Sequence, residues 1–301
     1  MAARFWALVL AARLLVAVAA AAAAAALLRL SIVATVAAGA TVWCLISLTA
    51  VAASFAAARA GAHSTRTRPG AMRLVRIVCA ETLALDMTLW RMAAEPLLAR
   101  LDRFVGSGSQ PPARVVLVHG LACNRAVWGP LRAALRLAGI EGVYAVNLEP
   151  LFADIDSYAR DLLAGLEALG ASPARPVAIV AHSMGGLVAR AALREARTGT
   201  ISRIITIGTP HLGTVVACRF PWLNTRQMCC GSRWLLELNA QQEARLALVV
   251  TSLYSHDDNL IVPASGAALC GARSIGFPDL GHLSLLYSPR ILRTIVAELG
   301  A

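Results

Sequence analysis

Lysine is absent from this chain, so all 28 of its basic residues are arginine. With 17 acidic residues, the formal net charge is +11. Nucleic-acid-binding proteins gather such charge in a reader motif or combine it with an aromatic stacking platform. Here the arginines are spread along the chain, and aromatic residues make up only 5% of it. We therefore expect no nucleic-acid partner.

Metal-binding motifs are missing as well. The sequence has no HExxH segment and no pair of CxxC motifs, the spacings typical of zinc sites. Its seven cysteines are scattered and odd in number, which argues against a complete disulfide framework. A single bridge from Cys218 to Cys229 or Cys230 stays open, and free thiols are expected in a cytosolic domain. We expect no metal ion.

Long runs without charge fill the N-terminal fifth. Residues 5–28 are apolar except for Arg13, and residues 31–58 carry no charge at all. Both runs exceed the roughly 20 residues that cross a bilayer. We interpret residues 1–60 as a membrane anchor of one or two transmembrane helices, with a hairpin favoured. A cleaved signal peptide is the alternative for the first run.

Arginines crowd just after the second run, whereas Arg29 stands alone between the two runs. The crowded arginines are Arg59, Arg66, Arg68, Arg73 and Arg76. Basic flanks stay on the cytoplasmic side and bind anionic lipid headgroups. The pattern therefore predicts an inner-membrane protein whose following domain faces the cytoplasm, with membrane lipids as partners. If the first run does not cross, the domain is periplasmic or secreted.

Residues 61–111 predict a basic juxtamembrane segment and an amphipathic helical linker. Between Ala71 and Phe104, apolar residues alternate with arginine and acidic residues, with a break near Pro96. Glycine, serine and proline then dominate residues 105–112, a composition typical of a linker. The pattern leaves open whether the apolar helix face lies on the membrane or on the following domain.

From Pro112 onward, short apolar strands alternate with helices, which predicts a mostly parallel sheet flanked by helices. The strand at 177–181 runs directly into Ser183. Ala181 and Gly185 lie two residues before and after this serine, where a larger side chain would collide in a sharp strand-to-helix turn. This pattern is typical of a nucleophile elbow.

A serine in this position requires an oxyanion hole and a general base. An earlier strand ends at His119, and the backbone N–H of Leu121 beyond it, with that of Met184, is expected to form an oxyanion hole. When the serine lies on such an elbow, the acid and then the histidine follow it along the chain. His282, near the C-terminus, is thus the candidate general base.

Four motifs resemble those of bacterial triacylglycerol lipases and esterases in the α/β-hydrolase superfamily. They are Val-His-Gly-Leu at 118–121, the elbow at 181–186, Gly-Thr-Pro-His-Leu-Gly-Thr at 208–214, and the loops that carry Asp258 and His282. The resemblance covers residues 112–301 and implies an α/β-hydrolase catalytic domain. It favours Asp258 as the acid, with Asp257 as the alternative. A serine at 284, where some of these lipases have a calcium-binding aspartate, argues against that calcium site.

Together with the predicted anchor, the resemblance implies a membrane-anchored serine hydrolase that cleaves carboxylic esters, especially lipid or acyl esters, through an acyl-enzyme and without a cofactor. Two alternatives remain: an acyltransferase with the same triad, and a non-catalytic membrane scaffold. Residues 214–243 predict a small cap, either a lid or a fixed insertion. His119, His182 and His211 are interpreted as turn-packing residues, and His256 as a solvated loop residue.

Overall fold

The computed structural model describes residues 1–61, 70–98, 114–240 and 249–300. The α-helices are α1 (Ala2–Leu28), α2 (Ile32–Gly61), α3 (Ala71–Ala93), α4 (Gly129–Leu137), α5 (Ile155–Ala168), α6 (Met184–Glu195), α7 (Leu223–Met228), α8 (Arg233–Ala240) and α9 (Pro289–Gly300). The strands are β1 (Val115–Val118), β2 (Val143–Val146), β3 (Val177–His182), β4 (Ile201–Ile207), β5 (Val250–Ser255) and β6 (Arg273–Phe277). Short 3-10 turns cover Arg125–Trp128, Ala217–Arg219, Ala264–Ala267 and Ser284–Leu286. The linker predicted at 105–112 and the cap residues 241–243 lie outside the described ranges.

The six strands form one sheet in the order β2-β1-β3-β4-β5-β6, and each adjacent pair is parallel. Helices cover both faces, as the alternation of strands and helices predicts. The predicted α/β-hydrolase fold class is therefore confirmed. Since all strands point the same way, the segments that follow β1, β3, β4, β5 and β6 meet at one edge of the sheet.

Successive strand residues bury opposite faces of the sheet, as the two-residue period of a strand requires. Val116 and Ile179 lie in a core with α5 and α6. Leu117 and Val180 lie in a second core on the other face, with α4 and α9. This second core also takes in Leu89 and Met92 of α3 and Leu10 of α1, so the N-terminal helices share an apolar core with one face of the sheet.

The first three helices form a bundle held by polar contacts as well as apolar ones. Arg13 Nη1 donates to Asp86 Oδ1 at 3.0 Å, Arg13 Nη2 to Ser47 Oγ at 2.5 Å, and Ser47 Oγ to Asp86 Oδ1 at 2.7 Å. These three residues come from α1, α3 and α2. Gly39 of α2 packs close to α1, because a Cβ there would lie 3.4 Å from the Cβ of Ala21.

The inner face of α3 docks on the hydrolase sheet layer. Arg91 Nε donates to the carbonyl oxygen of Ala126 at 2.9 Å, and Asn124 Nδ2 donates to that of Met92 at 2.8 Å. The outer face carries exposed apolar side chains: Met72, Val75, Leu83, Met87 and Trp90. The helix thus uses one side for the hydrolase domain and presents an apolar surface on the other.

The described part of the cap, residues 214–240, contains a disulfide between Cys218 and Cys229. Of the two pairings left open by the sequence, the structure has this one, and Cys230 is free. The cap is also bonded to α5, since Trp234 Nε1 donates to Asp156 Oδ2 at 2.7 Å. The disulfide lies within this segment, and the bond from Trp234 joins the segment to α5.

Candidate active site

Ser183 occupies the turn between β3 and α6 with a strained backbone, at φ 54° and ψ −127°. Non-glycine residues rarely adopt positive φ, and such strain is characteristic of functional sites. The helix that follows approaches β1 very closely: a Cβ at Gly185 would lie 2.4 Å from the carbonyl oxygen of Val118 and 2.5 Å from that of His119. Only glycine fits there, which is the steric requirement of the predicted elbow.

The turn after β1 lies against the elbow, because a Cβ at Gly120 would be 2.9 Å from the Cβ of Ser183. Met184 is the first residue of α6, so its amide N–H has no intrahelical acceptor. Within the described ranges, no backbone acceptor is bonded to the N–H of Leu121 or Met184. The role of these two N–H groups as an oxyanion hole stays a prediction.

His282 and Asp258 form a buried pair. The Nδ1 atom of His282 lies 2.9 Å from Oδ2 and 3.1 Å from Oδ1 of Asp258. Oδ1 also accepts from the N–H groups of Leu260 and Ile261 at 2.8 and 2.9 Å. A proton on Nδ1, held by the carboxylate, leaves Nε2 of His282 as the basic nitrogen.

Asp257 faces away from this pair. Its Oδ2 accepts from Arg73 Nη2 at 2.7 Å and from the N–H of Asp279 at 2.9 Å. The structure therefore brings Asp258, and not Asp257, to His282.

The pKa of His282 lies above its ordinary value of 6.5. Burial alone would lower this pKa, but attraction to Asp258, the hydrogen bond to that carboxylate and attraction to Glu81 together outweigh it. Burial instead lowers the pKa of His119 to about 4 and that of His182 well below 6.5. Among these neighbouring imidazoles, His282 is the one stabilised in its protonated form.

The remaining histidines of these turns hold backbone together, as their sequence interpretation expects. His119 accepts at Nε2 from the N–H of Leu148 at 3.0 Å, which leaves Nδ1 to donate to Gly120. The ring of His182 lies 4.7 Å from that of His282, and its Nε2 is 3.3 Å from the carbonyl oxygen of His282.

The Gly-Thr-Pro-His motif lies in the segment that follows β4. A Cβ at Gly208 would lie 3.3 Å from Nδ1 of His282 and 3.4 Å from Oδ2 of Asp258, so the missing side chain leaves room for the pair. Thr209 Oγ1 donates to the carbonyl oxygen of Ser183 at 2.9 Å. This motif therefore lies against both the elbow and the His282–Asp258 pair.

One residue that the sequence interpretation missed also reaches this site. Glu81 belongs to the segment predicted as a linker, yet it is 1% exposed and bonds to the loop that carries His282. A signal was present: Glu81 has helical spacing with Ile77, Ala84 and Thr88, which form the buried face of α3. An acid in the middle of such a face indicates a specific partner.

Within the described residues, no group of three or more histidine, cysteine or acidic side chains could hold a metal ion. The hydroxyl of Ser284, the residue at the position considered for calcium, donates to Glu81 instead.

Several known proteins are similar to parts of this chain. Residues 156–262 match the family of PGAP1-like alpha/beta domains. A triacylglycerol lipase of Burkholderia plantarii is 33% identical over 135 residues, 42% of this chain and 36% of that protein. The chain thus spans about a third of the length of this curated relative.

Solved lipases share the fold. The mature form of the Bacillus licheniformis lipase BlEst2 gives a TM-score of 0.55 at 18% identity, over 64% of this chain and 94% of that one. Aspergillus fumigatus lipase B gives a TM-score of 0.52 at 21% identity, over 63% of this chain and 52% of that one. This chain is therefore similar in fold to solved lipases, and part of its sequence is similar to a triacylglycerol lipase.

Proposed function

We propose that the protein is a membrane-attached serine hydrolase that cleaves carboxylic esters of lipids or other acyl compounds. The observation that carries this proposal is the buried His282–Asp258 pair, 2.9 Å apart, at the same sheet edge as the strained elbow of Ser183. Serine, acid and histidine follow one another in the chain order of α/β-hydrolases.

In the proposed reaction, Ser183 Oγ attacks the ester carbonyl carbon while its proton passes to Nε2 of His282. Asp258 keeps the imidazole in the required tautomer and stabilises its positive charge. The N–H groups of Leu121 and Met184 donate to the oxyanion. His282 then protonates the leaving alcohol as the carbon–oxygen bond breaks, and water repeats the sequence on the acyl-enzyme.

Labelling with a fluorophosphonate probe tests this proposal. The full chain in detergent is expected to react with the probe and to hydrolyse a p-nitrophenyl acyl ester, and Ser183→Ala should lose both activities while keeping its fold. A folded wild-type protein without labelling or hydrolysis would favour the non-catalytic scaffold. Product analysis with added alcohols separates hydrolysis from acyl transfer, because an acyltransferase forms new esters in their presence.

Attachment to a membrane is supported by the outer surface of the first three helices. The first two, Ala2–Leu28 and Ile32–Ala60, are long and apolar enough to cross a bilayer by length and composition. Most of the large apolar side chains exposed in the structure lie in this part of the chain, among them Leu27 and Ile32 at 82% and 84% exposure. Because Trp6 Nε1 donates to the carbonyl oxygen of Ala122 at 2.6 Å, α1 is joined to the hydrolase domain. That favours a retained anchor over a cleaved signal peptide.

The contacts of α1 also suggest how deeply the hairpin enters the membrane. Arg13 is bonded to Asp86 inside the three-helix bundle, whereas the rest of α1, Leu14 to Leu28, contains only alanine, leucine and valine. The 15 residues from Leu14 to Leu28 span about 22 Å at 1.5 Å per residue, less than the roughly 30 Å of a hydrocarbon core. We therefore propose a hairpin that enters the bilayer from one side and ends inside it.

The Cys218–Cys229 disulfide favours an oxidising compartment for the hydrolase domain. The arginine pattern favours the cytoplasm, but Arg73 is bonded to Asp257 and Asp279 and is thus engaged within the protein. We propose the extracytoplasmic side. Exposed Cys270 is the reporter: a membrane-impermeant maleimide should label it in intact cells, with Cys270→Ser as the control. Labelling only after lysis would support the cytoplasmic side.

A further inference from the structure

Glu81 of α3 makes its hydrogen bonds to the loop that follows His282. Oε1 accepts from the N–H of Leu283 at 2.8 Å. Oε2 accepts from the N–H of Ser284 at 2.8 Å and from its hydroxyl at 2.5 Å. Gly281 permits this approach, because a Cβ there would lie 2.3 Å from Oε2 of Glu81.

These bonds hold the backbone directly after the candidate base. The N–H of His282 donates to Oδ1 of Asn259 at 2.9 Å, so three successive amides, 282 to 284, have side-chain acceptors. The last two lie at the start of the short 3-10 turn Ser284–Leu286, one at its N-cap Leu283 and one at its first residue. Donors at the start of a helical turn lack partners within it, and Glu81 supplies those partners from 202 and 203 residues away in the chain.

The N-terminal bundle holds the helix segment that carries Glu81. Asp86, about one and a half turns further along α3, is bonded to Arg13 of α1 and Ser47 of α2. Asn259, the acceptor for the N–H of His282, in turn donates to Ser54 Oγ of α2 at 2.8 Å. The membrane-attached helices therefore support the histidine loop at two points.

We propose that Glu81 is a positioning residue for His282: it fixes the loop that sets the imidazole against Ser183, and its charge stabilises the imidazolium formed during the reaction. This inference rests on the proposed hydrolase function. Among the described residues, the groups bonded to the two oxygens of Glu81 are all donors, so the ionised carboxylate satisfies all three bonds. Burial raises the pKa of Glu81, while the bonds from Ser284 and Leu283 oppose that rise.

The test is Glu81→Gln in the full-length chain in detergent, with a p-nitrophenyl acyl ester as substrate. We expect kcat/KM to fall about 10-fold to 100-fold, mainly through kcat, because the contacts act on the base and not on the substrate. The acid limb of the pH profile should also move to lower pH. The reason is that glutamine removes a negative charge that raises the pKa of His282.

Glu298→Gln is the matched control. Glu298 is also a largely buried carboxylate, bonded to Arg273 Nη1 at 2.7 Å and Thr251 Oγ1 at 3.3 Å. These partners lie at the beginnings of β6 and β5, at the opposite edge of the sheet from Ser183. Neither kcat nor the acid limb should change in this variant, although its stability falls.

Ser284→Ala is the second variant, which removes one donor to Glu81 and keeps the charge. We expect a smaller loss of kcat with an unchanged acid limb. A folded Glu81→Gln protein with wild-type kcat and pH profile would overturn the proposal. If Glu81→Gln does not fold, wild-type kcat in Ser284→Ala would overturn it and reduced kcat would support it. An inactive wild type would instead refute the proposed hydrolase function.

Discussion

Replacing Asp258 by asparagine is the sharpest perturbation of the proposed triad. Oδ1 of Asp258 accepts from two backbone N–H groups, those of Leu260 and Ile261. An asparagine must therefore place its oxygen there and its NH2 group at the Oδ2 position, 2.9 Å from Nδ1 of His282. That NH2 group donates and lies nearer to Nδ1 than Oδ1 does at 3.1 Å, so we expect Nδ1 to accept and the proton to move to Nε2.

The expected loss of kcat follows from this change of tautomer. With a proton on Nε2, His282 cannot take the proton of Ser183. In Ser-His-Asp triads the same substitution lowers kcat by about 10⁴, or about 5 kcal/mol at 1.36 kcal/mol per tenfold. We expect a loss of about 10³ to 10⁴ in kcat with little change in fold, since the two backbone bonds survive.

Asp257→Asn is the matched control because it is the adjacent acid in the same loop. It weakens the bond to Arg73, whose side chain is 39% exposed. Partly exposed ion pairs contribute about 0 to 1 kcal/mol to stability, and Asp257 is bonded to Arg73 and the N–H of Asp279, so kcat/KM should stay close to the wild-type value. The assay is hydrolysis of a p-nitrophenyl ester together with the rate of fluorophosphonate labelling. Equal losses in the two variants would refute the assignment of Asp258.

Three further predictions concern the base, the elbow and the membrane. Since only neutral His282 accepts a proton and its pKa is raised, kcat/KM should fall with decreasing pH around a midpoint above 6.5; a lower midpoint in a pH titration would contradict this. Gly185→Ala, whose Cβ would meet the Val118 carbonyl oxygen at 2.4 Å, should lower stability by about 1 to 3 kcal/mol and abolish labelling. In thermal unfolding, Gly165→Ala on open helix surface should instead be neutral or stabilising by up to about 1 kcal/mol. For the membrane, the exposed native cysteines are replaced by serine and a fluorophore is attached to Ile32→Cys. Lipids brominated near the bilayer centre should quench this fluorophore. Quenching by a water-soluble agent on the far side would show that the hairpin crosses.

The serine elbow and the sheet could be predicted from the sequence because their signals are local. A buried strand that runs into Ser183, with small residues two positions before and after it, is a steric requirement within five residues. Strand and helix periodicity likewise repeats over short windows. The alternation of strands and helices along the chain, and the place of His282 after the last strand, followed from these local patterns.

Pairings across long stretches of chain were decided only by the tertiary structure. Asp257 and Asp258 are adjacent, and which of them meets His282 depends on how β5 and β6 end at the same edge. Cys229 and Cys230 are equally ambiguous by spacing. Glu81 is about 200 residues from the loop that it holds. Its helical spacing with other buried residues identifies it as a buried acid but does not identify its partner. Local sequence sets strand, turn and helix through steric and solvation preferences, whereas a distant partner depends on the packing of the whole fold.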